Sequence, residues 1–201
     1  VNIGQYNQGG ADLHTVIARL ESIPGLERIR ISSIEPTTVT DQLLELMASS
    51  SKLCPYLHIP LQSGDDGILT AMNRSYSAQD YVRLVERALH KIPTLGLGTD
   101  IMVGFPGEDD TAFANTLKLA TELPFAYFHV FPFSPRPGTA AVKLANPVRA
   151  THMKKRMAIL TGLSQAKRLA AHNRYIGTTV GVLFERSEEH TSELQSHHDL
   201  V

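Results

Sequence analysis

Polar residues of this 201-residue chain gather where short apolar runs give out. Asn2 and Gly4 close the first run. Ser32, Ser33 and Glu35 follow residues 29–31, and Gln62 and Ser63 follow residues 56–59. Asp100 lies within residues 97–103 and Glu108 follows them, and Ser134 and Arg136 follow residues 126–131. If the runs are strands, such residues sit at strand ends, which is where parallel α/β folds collect their ligands. A strand buried on both faces reads as mainly apolar. The polar set therefore points to a pocket for a small polar ligand, against the plainer reading of loop polarity and helix capping.

Other residues carry weaker signals. Gly104-Phe105-Pro106-Gly107-Glu108 lets backbone approach a ligand closely, although turns use the same residue types. It is no P-loop, because no Gly-Lys-Ser/Thr follows. In Pro135-Arg136-Pro137-Gly138-Thr139, Arg136 suits a carboxylate or phosphate, or solvent. His58 and His129 lie inside strand-like runs, where a lone histidine is more often a satisfied core residue than a ligand. Cys54, next to Pro55, reads as a small apolar residue. Arg149, Lys154, Lys155, Arg156, Lys167, Arg168 and Arg174 fit either an RNA-facing stripe or a solvated helix face.

The elements that position these residues alternate between two periodicities. Leu13, Val16, Ile17 and Leu20 recur at helical spacing behind Asp12, a suitable N-cap, and Pro24-Gly25 stops that helix. Residues 29–31 read as a strand. Thr40 caps a helix through Leu43, Leu46 and Met47. Residues 56–59 form the next strand, broken at Pro60. Ser77 with Asp80 has the form of a capping box, for a helix burying Tyr81, Leu84, Val85 and Ala88. A strand at 97–103, a helix through Phe113, Leu117 and Ala120, and a strand at 126–131 follow. A long helix over 151–171 turns Met153, Met157, Leu160, Leu163 and Ala166 inward, and residues 178–184 begin a further strand. Repeated strand–helix alternation predicts parallel βα units, as a barrel or a doubly wound sheet.

Composition narrows the classes. No apolar run is long enough to span a membrane, and no secretory signal opens the chain. The single cysteine excludes an intrachain disulfide and any multi-cysteine metal site within these residues, and fits a reducing, cytoplasmic setting. The chain opens on Val1 and reads as a fragment. Residues 186–196 read as the in-frame translation of a sequencing adapter, so residues 186–201 are expected to be an artefactual disordered tail. That tail holds His190, His197 and His198, which without a periodic apolar face do not form a metal site. Setting aside its one arginine and four acidic residues leaves 18 Lys+Arg against 16 Asp+Glu, too mild a balance to argue for nucleic acid.

Four segments together resemble the radical S-adenosylmethionine (SAM) methylthiotransferases: Arg28 to Pro36 (RIRISSIEP), Leu57 to Asp65 (LHIPLQSGD), Thr99 to Glu108 (TDIMVGFPGE) and His129 to Thr139 (HVFPFSPRPGT). Their order and spacing match as well, over about residues 1 to 185. The first and last are most similar to the type that adds a methylthio group to carbon two of threonylcarbamoyl-adenosine beside the tRNA anticodon. The sister type acting on isopentenyl-adenosine is the nearest alternative. The type acting on a ribosomal protein usually lacks the Gln62-Ser63-Gly64 pattern.

The resemblance implies a partial parallel (βα) barrel of radical SAM type over residues 1–174, then the start of a small β (TRAM) domain at 175–185. It implies SAM as cofactor, with Ser33, Glu35, Gln62, Asp100, Gly104 and Glu108 along its wall. Two 4Fe–4S clusters are expected in the full-length enzyme and none in this chain, because the Cys-x-x-x-Cys-x-x-Cys loop would lie before Val1. The chain then holds no catalytic residue and no metal ligand of its own, and is inactive alone. The partners implied are tRNA, met in part by Lys154, Lys155 and Arg156, and an electron donor. The rival classes are a phosphate-binding barrel enzyme, which would carry a Gly-rich loop where Pro-Arg-Pro-Gly stands, and a non-catalytic RNA- or SAM-binding module.

Overall fold

A computed structural model of the chain describes residues 3–181. The sequence-predicted tail at 186–201 lies outside the described residues, as does the end of the strand expected at 178–184. Residues 178–181 carry no regular structure.

After a short 3-10 turn at Ile3–Gln5 comes a two-stranded hairpin, β1 (Asn7–Gln8) and β2 (Ala11–Asp12). Gly9 and Gly10 both adopt positive φ between its strands, the conformation that a tight hairpin needs and glycine supplies freely. Then come α1 (Leu13–Glu21), α2 (Asp41–Ser49), β3 (Tyr56–His58), α3 (Asp66–Ala71), α4 (Ala78–Lys91), β4 (Gly96–Val103), α5 (Asp110–Glu122), β5 (Tyr127–Pro132) and α6 (Ala150–Asn173). Strands β3, β4 and β5 form one parallel sheet in that order, with His58 level with Gly98, and Asp100 level with His129. This is the α/β, parallel βα architecture expected.

Most helix starts fall where their caps predict. Asp12, Thr40 and Ser77 each accept a main-chain N–H at the third residue on, and Ser77 with Asp80 completes the capping box. Helix α4 buries the expected face: Tyr81, Leu84, Val85 and Ala88. Helix α3 was not anticipated, although Asp65 caps it through Ile68 N.

The sheet has two unlike faces. Leu57, Leu97, Thr99, Ile101, Val103 and Phe128 are buried in the main core, which also takes in Leu44, Tyr81 and Leu160 of the helices. The alternate positions, Tyr56, His58, Asp100, Met102, Tyr127, His129 and Phe131, are more exposed, and Phe131 keeps 48% of its surface. Their rings run in contact across and along the strands: His58–His129 at 5.9 Å, Tyr127–His129 at 5.2 Å and His129–Phe131 at 6.0 Å.

The strand expected at 29–31 is reduced to bridges. Ile29 pairs with Leu53 and Ser33 with His58, so four steps on one side face five on the other. The slack falls at Pro55, which has no N–H to give a ladder, and Tyr56 N turns back to Cys54 O at 2.7 Å. A second proline ends β3. Beyond Pro60, the Thr99 hydroxyl takes over from the ladder, donating to Ile59 O at 2.7 Å and accepting from Leu61 N at 2.8 Å.

Candidate functional site: the ends of the parallel strands

Two clusters form from the predicted residues. The first surrounds Gln62 and Asp100. Gln62 stands in the left-handed region with φ 63, strained for a residue with a Cβ. Two main-chain bonds hold it there: Gln62 N to Asp100 O at 2.8 Å, and Met102 N to Gln62 O at 2.9 Å. The Asp100 carboxylate lies 3.0 Å from His58 Nε2, both side chains part-exposed. Ser33 joins through its bridge to His58. Ser63, by contrast, is buried and bonded to Thr116, while Gly64 lies so close to α5 that a Cβ there would stand 2.7 Å from Thr116 Cα. These two lock the loop and leave no group free for a ligand.

Glu35 has a partner that sequence reasoning missed. Arg74 Nη1 lies 2.9 and 3.0 Å from its two carboxylate oxygens, and both side chains are about a third exposed. The pair lies against Tyr76, whose hydroxyl donates toward Pro60 O and Leu61 O at the end of β3. Burial pushes the Tyr76 hydroxyl up to about 12, so it stays a donor at neutral pH. Asn73, at positive φ just past α3, turns the chain ahead of Arg74, but no residue near Arg74 in the sequence points to Glu35.

Beside this cluster is a cavity of about 370 Å³ lined by Arg30, Ser32, Ser33, Tyr56, His58 and Tyr127. Arg30 stacks 4.7 Å over the Tyr56 ring, and the Tyr56 and Tyr127 hydroxyls share a 2.5 Å hydrogen bond. Gly98 makes this possible, since a Cβ there would stand 2.6 Å from the Tyr56 hydroxyl. Burial first, then the Tyr127 bond, holds the Tyr56 hydroxyl well above its ordinary value.

The second cluster is the turn from Gly104 to Glu108, and here the structure corrects two expectations. Glu108 does not present its carboxylate to a ligand; it is 4% exposed and accepts the Gly104 N–H at 3.2 Å. Arg156 is not on an RNA-facing stripe; it is 5% exposed, with Nη1 2.6 Å from Glu108 Oε1 and Nη2 2.7 Å from Asp110 Oδ1. Burial raises the Glu108 carboxyl above its ordinary value, against the pull of Arg156 and the Gly104 amide. Lys167 also turns inward, donating to Thr121 O and Leu123 O at the end of α5. Arg149, Lys154, Lys155, Arg168 and Arg174 remain exposed. Ala166, expected inward, is exposed; Ser164 takes the buried position instead, bonding both N–H and C=O of Phe128.

Parallel strands with polar groups gathered toward one end, and a glycine turn beside the central strand, describe an α/β fold built on βα units with its candidate site at the strand ends. The family model of the Radical SAM superfamily matches residues 5–120, and the chain belongs to that superfamily. It is 37% identical over 186 residues to a threonylcarbamoyladenosine tRNA methylthiotransferase of Thermotoga maritima. It is 36% identical over 184 residues to a tRNA-2-methylthio-N(6)-dimethylallyladenosine synthase of Endomicrobium trichonymphae. Each match takes in 92% of this chain but only 43% and 44% of the relatives' lengths. Among solved structures, the chain resembles coproporphyrinogen III oxidase of Escherichia coli, a radical SAM enzyme (TM-score 0.55, 21% identity, 68% of this chain and 32% of that one). It also resembles an archaeal Elp3 from Methanocaldococcus infernus (TM-score 0.52, 16% identity, 69% and 32%). These two likenesses concern the fold.

Proposed function

We propose that this chain is part of a tRNA methylthiotransferase that modifies carbon two of threonylcarbamoyladenosine by radical SAM chemistry. The observation that carries this reading is the 37% identity along 92% of the chain to an enzyme named for that reaction. The strand-end groups suit SAM, which brings an ammonium, a carboxylate and ribose hydroxyls needing both acceptors and donors. Glu35 and Asp100 are part-exposed acceptors for an ammonium, Arg74 is a cation for a carboxylate, and Ser33 and Gln62 serve hydroxyls. Gly107 leaves its own position in the adjoining turn open, whereas Gly104 lies under the Met153 side chain and is covered by it. When bound and reduced, SAM supplies the radical chemistry; the residues of this chain orient it and keep water away. One cysteine cannot furnish the thiolates of a 4Fe–4S cluster, so the cluster ligands, and the electron donor that serves them, come from outside these residues. Lys154 and Lys155, exposed on α6, would meet tRNA phosphates, in the cytoplasmic compartment where tRNA is modified.

The second reading is the dimethylallyladenosine type, which the 36% identity to such a synthase favours almost equally. Mass spectrometry of tRNA nucleosides from a strain lacking the gene separates the two. Loss of the methylthio form of threonylcarbamoyladenosine is expected. Loss of the dimethylallyl counterpart moves the assignment to the sister type, and an unchanged nucleoside profile refutes both in favour of a non-catalytic binding module.

A further inference from the structure

The start of α6 meets the turn after β4 at three points. Gly107 N–H donates to Asn146 O, just ahead of the helix, at 2.9 Å. The Met153 sulfur lies only 2.6 Å from where a Cβ on Gly104 would stand, so the helix packs directly on that glycine. Arg156 Nη1 donates to both the main-chain oxygen and the carboxylate of Glu108, at 2.9 and 2.6 Å, while the same carboxylate oxygen accepts the Gly104 N–H. Its Nη2 reaches the exposed Asp110, and the guanidinium lies 5.2 Å from the Phe113 ring centre.

We infer that Arg156 is a positioning residue that sets the Gly104–Glu108 turn beside the end of the central strand, and so shapes one wall of the adenosyl cofactor's site. A buried ion pair is a poor choice if stability alone is wanted, because apolar residues of similar volume commonly do as well. What apolar residues cannot do is hold the Glu108 carboxylate against the Gly104 amide while Gly104 stays at φ 82. A single guanidinium fixes both ends of the turn: Glu108 directly, and Gly104 through Glu108. It does so from a helix whose neighbouring Lys154 and Lys155 face solvent. Successive helix residues point about 100° apart, so adjacent side chains can serve opposite surfaces.

The inference rests on the cofactor placement proposed above, and the test keeps the two apart. In this chain, amide hydrogen exchange is followed by mass spectrometry in Arg156→Ala and Arg156→Lys. Residues 104–108 are expected to lose more protection in the alanine variant than β3 and α4, whose exchange follows only the change in global stability, and lysine should restore part of it. In the cluster-loaded full-length enzyme, S-adenosylhomocysteine should bind about tenfold more weakly to the alanine variant, with affinity for an anticodon-hairpin RNA unchanged. If the alanine variant does not fold, Glu108→Gln loosens the same contact at nearly constant shape and should give the same local exchange. Unchanged exchange at 104–108, or faster exchange with unchanged S-adenosylhomocysteine affinity, overturns the positioning role. Failure of the unaltered loaded enzyme to bind S-adenosylhomocysteine overturns the cofactor placement first, and the inference with it.

Discussion

Two arginine–carboxylate pairs flank the strand ends, and they differ in burial more than in chemistry. Glu35–Arg74 is about a third exposed and makes its contacts through one guanidinium nitrogen. Glu108–Arg156 is sealed, with 4% and 5% exposure, and its guanidinium spans three acceptors on two residues. Water can replace either partner of the first pair, so the pair costs little to open when a ligand needs its groups. Water cannot reach the second, so that pair is part of the framework. The same two side-chain types thus make a contact surface in one place and a fixed joint in the other.

Breaking the joint should give the largest effect. Arg156→Ala leaves the Glu108 charge buried and unpaired, and chemical denaturation should show a loss of about 3–5 kcal/mol. Adding Glu108→Gln to Arg156→Met should recover most of it, and a double variant as unstable as the single one would refute the ion-pair account. Next comes Gly64→Ala. The new methyl would press on main chain of α5, which cannot swing aside as a side-chain tip can, and should cost roughly 1–3 kcal/mol in denaturation experiments.

The capping box of α4 should yield less. Ser77→Ala is expected to cost about 1 kcal/mol. The Ser77 hydroxyl and N–H hold the Asp80 carboxyl below its ordinary value of 3.8. A depressed carboxyl stabilises the fold fully above that ordinary value and loses its contribution as pH falls through the lower folded one. The stability gap between the unaltered chain and Ser77→Ala should therefore narrow only below about pH 4. Glu108 has the opposite sign: its raised carboxyl makes the folded state bind the extra proton, so its contribution declines as pH rises above 4.5. The smallest change in stability belongs to the open pair. Arg74→Gln should alter it by about 0–1 kcal/mol, yet weaken S-adenosylhomocysteine binding in the loaded full-length enzyme. A stability loss matching that of Arg156→Ala would erase the distinction between the pairs.

Local features were legible in the sequence, and contacts between distant segments were not. Asp12, Thr40 and Ser77 announce their helices because a cap acts within three residues. The inward face of α4 follows from spacing alone. Arg156 was misread because periodicity assigns charge to the outside, whereas its acceptors lie 46 and 48 residues away. Lys167 misleads in the same way, since its carbonyl partners belong to another helix. Arg74 escaped notice because nothing near it in the sequence marks Glu35 as its partner. The reduced strand at 29–33 depended on where Pro55 would fall opposite it, a matter of register.

The tyrosine pair bridging β3 and β5 across Gly98 has an optical consequence. The chain has six tyrosines and no tryptophan, so its near-ultraviolet absorbance comes mainly from phenols, the seven phenylalanines adding only weak bands at shorter wavelength. Tyr56, Tyr76 and Tyr81 are all held above the ordinary tyrosine value, burial being the leading cause in each. In an alkaline absorbance titration these three should ionise only above the ordinary tyrosine value. Their late step would then report, without any label, on whether these hydroxyls are still shielded from water.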